Sequence, residues 1–122
     1  MLIKPAHIDQ RGEIIDILTN TDIDSATIVT FNINAIRGNH YHKNTTQWNY
    51  VLTGEIDYYS MNMIDRKIEN RVLTAGYLII SPPNIAHALK ANQESKVLIL
   101  TKGPRSGDNY ETDTFRLMEP LV

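Results

Sequence analysis

Four side chains that can bind a metal ion or move a proton lie in two short segments of the sequence. His40 and His42 are separated by one residue, and Gln47 follows five positions after His42. Because residues i and i+2 of a β-strand point to the same side, the two histidines should share a face. If residues 43–46 form a tight turn, Gln47 returns on the neighbouring strand toward that face, and His87 enters from a later strand. The spacing therefore predicts a polar site inside a barrel.

A metal centre is one use of this set. Three neutral imidazoles and a carboxylate would suit a divalent first-row ion. Gln47 offers only a neutral amide oxygen, so the charge of an ion would be less compensated here. If a metal is present, we expect Zn, Ni, Mn or Fe, held by His40, His42, Gln47 and His87. Gln47 has an equally good alternative role as a hydrogen-bond partner that orients an imidazole.

Strand alternation predicts what surrounds the four side chains. Asn49 and Val51 share the face of Gln47 and should line the cavity, whereas Trp48 and Tyr50 point the other way. Two large aromatic rings on an outer face predict a covered surface, and hence a homodimer formed through one sheet. Tyr58 is either an acid or sugar-stacking ring of the site or a core tyrosine.

Short β-rich runs separated by turn residues predict an all-β barrel or sandwich, with no helix longer than about one turn. A turn at residues 9–12 should precede the first run, Gly38 should kink the chain, and Pro82-Pro83-Asn84 should end a strand. We expect about eight or nine strands of about five residues. The predicted strands are Ile14–Leu18, Thr27–Ile36, Gln47–Thr53, Ile56–Met63, Arg71–Leu73, Tyr77–Ser81, His87–Ala91 and Lys96–Thr101.

Length and composition fit one domain over residues 1–122, with a C-terminal loop and tail over 103–122. The formal net charge is −2 and the basic residues are scattered, so we expect no nucleic-acid partner. The absence of cysteine excludes disulfides and a Cys nucleophile. Neither a signal peptide nor an apolar run near 20 residues is visible, which predicts a cytoplasmic protein with no membrane partner.

The two segments resemble the two motifs of the cupins, G-x5-H-x-H-x4-E-x6-G and G-x5-P-x-G-x2-H-x3-N. Here they are G-N-H-Y-H-K-N-T-T-Q-W-N-Y-V-L-T-G and G-Y-L-I-I-S-P-P-N-I-A-H-A-L-K-A-N. Gln47 takes the place of the glutamate, and one residue instead of five separates Gly38 from His40. The resemblance implies a cupin, that is, a double-stranded β-helix or jelly-roll barrel.

A narrower resemblance is found in the string Arg37-Gly38-x-His40-x-His42-Lys43-x3-Gln47, which is similar to the motif of the dTDP-4-keto-6-deoxyhexose 3,4-ketoisomerases. Asp9-x-Arg11-Gly12 and Tyr110-Glu-Thr-Asp113 are similar to that group as well, and Arg-Gly-x-His-Tyr is similar to the dTDP-4-dehydrorhamnose 3,5-epimerases. These families imply a dimeric enzyme of polysaccharide biosynthesis that requires no cofactor and binds a nucleotide sugar.

The resemblance implies an isomerase or epimerase that moves a proton through an enediol. His42 is then the candidate base, His40 its relay or second acid, and Arg37 the group that holds developing negative charge or a phosphate. Gln47, Asn49, Tyr58 and His87 are the candidate substrate-binding residues. A metal-dependent cupin enzyme and a non-catalytic cupin that binds a sugar or another small molecule are the alternatives.

Overall fold

The computed structural model describes residues 1–104 and 112–122. This described part of the chain contains β-strands and turns, and no helix in it is long and apolar enough to cross a membrane. Eleven strands are formed, in chain order: β1 His7–Asp9, β2 Gly12–Ile14, β3 Ser25–Phe31, β4 Ile36–Tyr41, β5 Thr46–Thr53, β6 Glu55–Asn62, β7 Ile68–Thr74, β8 Leu78–Ser81, β9 Ile85–Ala91, β10 Ser95–Lys102 and β11 Phe115–Arg116.

Two antiparallel sheets make up the barrel, and most of their neighbouring strands are distant in sequence. One sheet has the order β3-β10-β5-β8, and the other has the order β11-β4-β9-β6-β7. Strands β1 and β2 form a separate hairpin. The all-β jelly roll predicted from the sequence is confirmed.

The core lies between the two sheets, because the inward-facing residues of both contribute to it. Phe31, Val51 and Val97 come from the four-stranded sheet, and Ile56 and Leu89 come from the five-stranded sheet. Ile56, Val51 and Val97 are at most 1% exposed. Burial of an aliphatic side chain of this size contributes about 1.5–3 kcal/mol relative to exposure. These core residues therefore determine which side chains of the strands that carry the site point into the barrel.

Three of the predicted strands differ from the structure by more than two residues, and the other five agree to within two. The run Thr27–Ile36 is not one strand. Strand β3 ends at Phe31 and β4 begins at Ile36, because the chain turns at Asn34, which has a φ of 69°. The run Ile14–Leu18 is not a strand, since the β1–β2 hairpin already ends at Ile14. Strand β7 is longer than the predicted Arg71–Leu73. The prediction was too short because β7 is an edge strand whose first five residues are all exposed, so the sequence shows no alternation of apolar and polar residues there.

The outer face of the four-stranded sheet carries Trp48 and Tyr50, as predicted, but the chain itself covers Tyr50. Tyr50 is 6% exposed within the single chain, and Trp48 is half-buried. Their burial therefore needs no second subunit, and the argument for a homodimer from these two rings does not hold.

The segment predicted as a C-terminal tail contributes a strand to the barrel. Phe115 and Arg116 form β11, which pairs with Tyr41 and His40 of β4. Of the predicted motif at residues 110–113, the first two positions lie outside the described residues, while Thr112 and Asp113 are described.

Candidate functional site

A β-bulge in β4 sets the position of the first histidine. The register between β4 and β9 shifts between Gly38 and His40, so that His40 lies opposite His87. Gly38 has a φ of +95°, and a Cβ at this position would be 2.7 Å from the carbonyl oxygen of His87. Only glycine combines this conformation with so close an approach. The kink predicted at Gly38 is therefore the feature that places two histidines side by side.

The three histidines form one cluster between the sheets. Their ring centroids are 4.9 Å apart for His40 and His42, 4.8 Å for His40 and His87, and 5.4 Å for His42 and His87. Each can offer one ring nitrogen so that the three nitrogens lie within 4.8 Å of one another. Nδ1 of His40, Nε2 of His42 and Nδ1 of His87 are buried without a hydrogen-bond partner within the protein. Since buried polar atoms are almost always paired, these atoms point to a ligand.

Burial keeps two of the imidazoles neutral. Desolvation, followed by the nearby His42 and Arg116, lowers the pKa of His40 to about 4. Desolvation, followed by His40 and His42, lowers the pKa of His87 to about 3. Both rings are therefore neutral near pH 7, and each keeps a nitrogen lone pair that can bind a cation.

The tautomer of His42 follows from its one hydrogen bond. Its Nδ1 lies 2.7 Å from the backbone carbonyl oxygen of Asp113. A carbonyl oxygen only accepts, so neutral His42 carries its proton on Nδ1 and donates it there. The lone pair of Nε2, which has no partner within the protein, is left as a base.

The carboxylate of Asp113 secures the turn that follows His42. It accepts hydrogen bonds from the backbone N–H groups of Lys43 and Asn44 and from the hydroxyl of Thr45. Burial alone would raise the pKa of Asp113, but the bonds from Thr45, Lys43 and Asn44 lower it. One buried aspartate thus fixes both the ring of His42 and the connection from β4 to β5.

The cluster opens into a cavity of about 400 Å³ between the two sheets. Its lining is apolar on the side of β3 and polar around the histidines. The lining residues are Thr27, Val29, Phe31, Ile36, Arg37, Gly38, His40, His42, Gln47, Asn49, His87, Leu89, Ile99 and Arg116.

Most of the predicted site residues line this cavity. Gln47 lies beside the cluster, with its Nε2 3.5 Å from the hydroxyl of Thr101. The side-chain nitrogen of Asn49 donates to Ser81 Oγ and to the carbonyl oxygen of Ile79. The guanidinium of Arg37 lies 5.4 Å from the centre of the Phe31 ring and 3.3 Å from the carbonyl oxygen of Thr30.

Tyr58 lies outside this lining. Its ring is 2% exposed and stacks 6.5 Å from the ring of His87, and its hydroxyl is hydrogen-bonded to the hydroxyl of Ser81. Burial raises the pKa of Tyr58 to about 12, with the bond to Ser81 opposing it. The ring borders a second cavity of about 380 Å³ along β6, β7 and β8. Tyr58 therefore supports the wall behind His87.

The residues that the sequence pattern did not identify come from the C-terminal segment and the bulge. Arg116 lies opposite His40 on β11 and lines the cavity. Asn39 holds the end of the chain, since its side chain accepts from the N–H of Leu121 and donates to the oxygen of Val122. The only local signal in the sequence for the role of Asn39 is its residue type, because asparagine is favoured at a left-handed φ, which is 57° here. Arg116 has no local signal.

Comparison with solved structures gives the same architecture at low identity. The ketoisomerase QdtA from Thermoanaerobacterium thermosaccharolyticum, in complex with TDP, superposes with a TM-score of 0.77 at 20% identity, covering 96% of this chain and 85% of QdtA. A dTDP-4-dehydrorhamnose 3,5-epimerase from Sulfolobus tokodaii gives 0.73 at 18% identity, covering 83% of this chain and 68% of the epimerase. The capsular polysaccharide assembling protein CapF from Staphylococcus aureus gives 0.69 at 16% identity, covering 91% of this chain and 31% of CapF.

These similarities describe the fold. No curated protein matches the sequence. The sequence model of the Cupin family matches residues 15–116, which include both histidine segments and the bulge at Gly38. The chain therefore belongs to the cupin family.

Proposed function

We propose that this protein is an isomerase or epimerase that acts on a 4-keto-6-deoxyhexose linked to a nucleoside diphosphate. The observation that carries the proposal is the unpartnered Nε2 of His42, a base whose tautomer is set by Asp113, in a cavity of about 400 Å³. The fold similarity to QdtA and to the 3,5-epimerase supports this class. A QdtA variant has been solved in complex with TDP-4-keto-6-deoxyglucose.

The reaction needs one base and one group that stabilises an oxyanion. Nε2 of His42 takes the proton from the ring carbon beside the C4 carbonyl. The electron pair of that C–H bond forms a C=C bond to C4, and the π pair of the carbonyl moves to its oxygen. The resulting enediolate carries its negative charge on oxygen, and the guanidinium of Arg37 stabilises it. If the imidazolium of His42 returns the proton to the former carbonyl carbon, the product is the isomeric ketone. If a second acid on the opposite face protonates the carbon that lost its proton, the product is an epimer, and His42 keeps the proton it took until solvent removes it.

Neighbouring side chains restrict where the proton can go. In the 3,4-isomerisation a proton also moves between the two oxygens. In this proposal neutral His40 relays it, and the 4.9 Å between the ring centroids of His40 and His42 supports that role. Gln47 and Asn49 hold the sugar hydroxyls on the β5 side, and His87 does so on the β9 side. Tyr58 is outside this set, because its hydroxyl is bonded to Ser81.

Solvent exchange tests the proposal directly. The protein is incubated with dTDP-4-keto-6-deoxyglucose in heavy water, with a chelator present, and deuterium at the ring carbons beside the carbonyl is followed by NMR. We expect incorporation by the wild type and a loss of about 10²- to 10⁴-fold in His42→Asn. His7→Asn is the matched control, because His7 is exposed and contacts Asp9, outside the cavity.

The outcome separates the function classes. No incorporation into this or any other 4-keto nucleotide sugar would contradict the proposal and favour a binding protein. Incorporation that His42→Asn leaves unchanged would contradict the role of His42. If the chelator abolishes the incorporation of deuterium, a metal ion is required for the proton transfer, and the histidines alone do not catalyse it.

A metal-dependent cupin is the second candidate, and the cluster of three unpartnered ring nitrogens favours it. His40, His42 and His87 would hold a divalent ion, with Gln47 as a weak fourth ligand. Such an ion supplies a Lewis acid that polarises a carbonyl. The neutral donor set fits Zn²⁺, Ni²⁺, Mn²⁺ or Fe²⁺, although it contains no anionic ligand.

Substitution of Gln47 by glutamate tests the metal site. Gln47→Glu adds an anionic ligand beside three neutral ones, so the affinity for Zn²⁺ or Ni²⁺ should rise on the order of 10-fold. Isothermal titration with the metal alone measures the change. Gln93→Glu is the control, since Gln93 is exposed and absent from the cavity lining. An unchanged or lower affinity in Gln47→Glu would contradict the position assigned to Gln47.

A further inference from the structure

The five-stranded sheet ends in an edge strand, β7, that is uncovered on one side. β7 pairs with β6, and no other strand in the described part of the chain pairs with it. Its first five residues are all exposed. Glu69 and Arg71 line the second cavity and so lie on the inner face of the sheet. By strand alternation, Ile68, Asn70 and Val72 lie on the outer face.

The backbone groups along this edge can accept a further strand. The N–H of Asn62 donates to the carbonyl oxygen of Lys67, so Lys67 faces β6. In an antiparallel ladder, successive residues turn their backbone groups alternately toward and away from the neighbouring strand. The N–H and C=O groups of Ile68, Asn70 and Val72 therefore point away from β6. Such a row is a template for another strand, and β7 contains no proline that would block it.

β7 is complementary to itself in one antiparallel register. When two copies pair about a two-fold axis at Asn70, Glu69 of each copy lies opposite Arg71 of the other on the inner face. On the outer face, Ile68 of each copy lies opposite Val72 of the other. Opposite charges and apolar pairs directly across two strands are stabilising. Neither charged side chain forms an ion pair within the described residues, so both can pair with a second copy.

The two adjacent registers bring like charges together. A two-fold axis at Glu69 places the carboxylates of two Glu69 side chains opposite each other. An axis at Arg71 places two guanidinium groups opposite each other. Like charges directly across two strands are destabilising, so the charges of β7 disfavour a shift of the register in either direction from Asn70.

The next registers lack the strand that they would need. An axis at Ile68 requires residues 65–67 to be extended, but Arg66 has a left-handed φ of 62°. An axis at Val72 places Glu69 opposite residue 75, which lies past the end of β7. The register at Asn70 is therefore the one that pairs all five exposed residues.

We propose that β7 is an interaction surface for a second copy of this chain, and that Ile68–Val72 of the two copies pair antiparallel about an axis at Asn70. The two five-stranded sheets then form one continuous sheet. This contact does not use the outer face of the four-stranded sheet, so it is separate from a dimer formed there. The cavity of the histidine cluster stays open, because β4 and β11 lie at the other end of the sheet.

Disulfide trapping tests the register, because the chain has no cysteine of its own. An edge of five residues buries less than the about 1,200 Å² of a standard interface, so the pairing is transient and is best trapped covalently. In Asn70→Cys the two new thiols lie across the axis, where paired Cα atoms are about 5.5 Å apart. A disulfide spans this distance.

The position of the thiol along β7 provides the control. Thr74→Cys places the thiol at the end of the same strand, where it is also exposed but lies far from its counterpart across the axis. Under mild oxidation, we expect Asn70→Cys to form the covalent dimer at least about 10-fold faster than Thr74→Cys. Mass spectrometry and a non-reducing gel measure the dimer.

Charge reversal tests the self-complementarity. Combined with Asn70→Cys, Glu69→Arg places arginines opposite arginines, and Arg71→Glu places glutamates opposite glutamates. Each variant alone should cross-link at least about 10-fold more slowly than Asn70→Cys. A mixture of the two restores opposite charges across the axis, so the mixed dimer should form about as fast as the Asn70→Cys dimer. Glu94→Arg, an exposed charge reversal in the turn before β10, is the control and should have no effect.

Two results would overturn the proposal. The first is equal cross-linking of Asn70→Cys and Thr74→Cys, which would show that the two copies do not pair in this register. The second is a mixture of the charge variants that cross-links as slowly as its components, which would show that Glu69 and Arg71 do not face each other. Thermal unfolding of each variant shows that a slower rate is not due to loss of the fold.

Discussion

His87 shows how a single buried side chain couples the site to stability. Its pKa is lowered to about 3 in the folded chain, whereas an exposed histidine titrates near about 6.5. Between these values the unfolded chain binds a proton that the folded chain does not. The free energy of unfolding should therefore fall as the pH is lowered from about 6.5 toward about 3, by up to about 1.4 kcal/mol per pH unit for this one residue.

Removal of the imidazole tests this coupling. We expect His87→Gln to lose stability less steeply than the wild type between about pH 6.5 and about pH 4, by about 1.4 kcal/mol per pH unit. Urea unfolding with a chelator present measures the slope, and His7→Gln, at an exposed position, is the control. Equal slopes for the wild type and His87→Gln would show that His87 is not desolvated as described.

At the residue scale, short-range spacing was sufficient for the histidines and insufficient for their partners. His40, His42 and Gln47 fall within eight positions, and one strand-turn-strand unit brings them together. Asp113 and Arg116 reach the site only through the packing of β11 on β4. No periodicity in residues 112–122 indicates that packing, so the residue that sets the tautomer of His42 and the arginine that lines the cavity opposite His40 were not assigned those roles from the sequence.

At the scale of elements, the connection between β4 and β5 depends on a side chain about 70 positions away. Asp113→Ala removes three hydrogen bonds to a buried carboxylate, two of them from backbone N–H groups of the turn. We expect it to lower the free energy of unfolding by about 2–4 kcal/mol. Urea denaturation provides the measurement.

A second aspartate supplies the comparison for that loss. Asp65 also accepts from a turn, through the N–H of Lys67, but it does so in an exposed turn. Asp65→Ala should therefore cost about 1 kcal/mol or less. If both variants lost the same free energy of unfolding, burial would not be the reason for the large contribution of Asp113 to stability.

Strand prediction succeeded where one face of a strand is buried and failed where it is not. The turns at Gly54 and Pro82 located the bounds of β5, β6 and β8 to within one residue. The alternation in β3 located its start to within two residues but not its end. The first five residues of β7 are all exposed, so its sequence shows no alternation of buried and exposed positions. Whether β3 and β4 are one strand or two is set by the turn around Asn34, whose N–H donates to the carbonyl oxygen of Ala91.

At the scale of the whole molecule, we retain the homodimer as a prediction on a different basis. Ile28, Leu98, Tyr50 and Leu78 form one row across the outer face of the four-stranded sheet. The chain covers Tyr50 and Leu78, while Ile28 is 61% exposed and Leu98 is half-buried. An apolar row that is covered at one end and open at the other fits the same face of a second copy.

Sedimentation velocity tests this interface. The wild type should sediment as a dimer at micromolar concentration, and Ile28→Lys should shift it toward the monomer by placing a charge in the row. Ile64→Lys is the control, since Ile64 is 88% exposed in a turn away from this sheet. A wild type that is monomeric, or two variants that behave alike, would refute the interface.

The pairing of β3 with β10 has a consequence for the newly made chain. Strand β3 is the first strand of the two barrel sheets to leave the ribosome, and among the described strands it pairs only with β10, which begins at Ser95. At about 5–20 residues per second, β3 waits several seconds for its partner. Arg116, which completes the cavity, follows later still. During synthesis the apolar face of β3 is exposed, and this interval is when a chaperone has the most to bind.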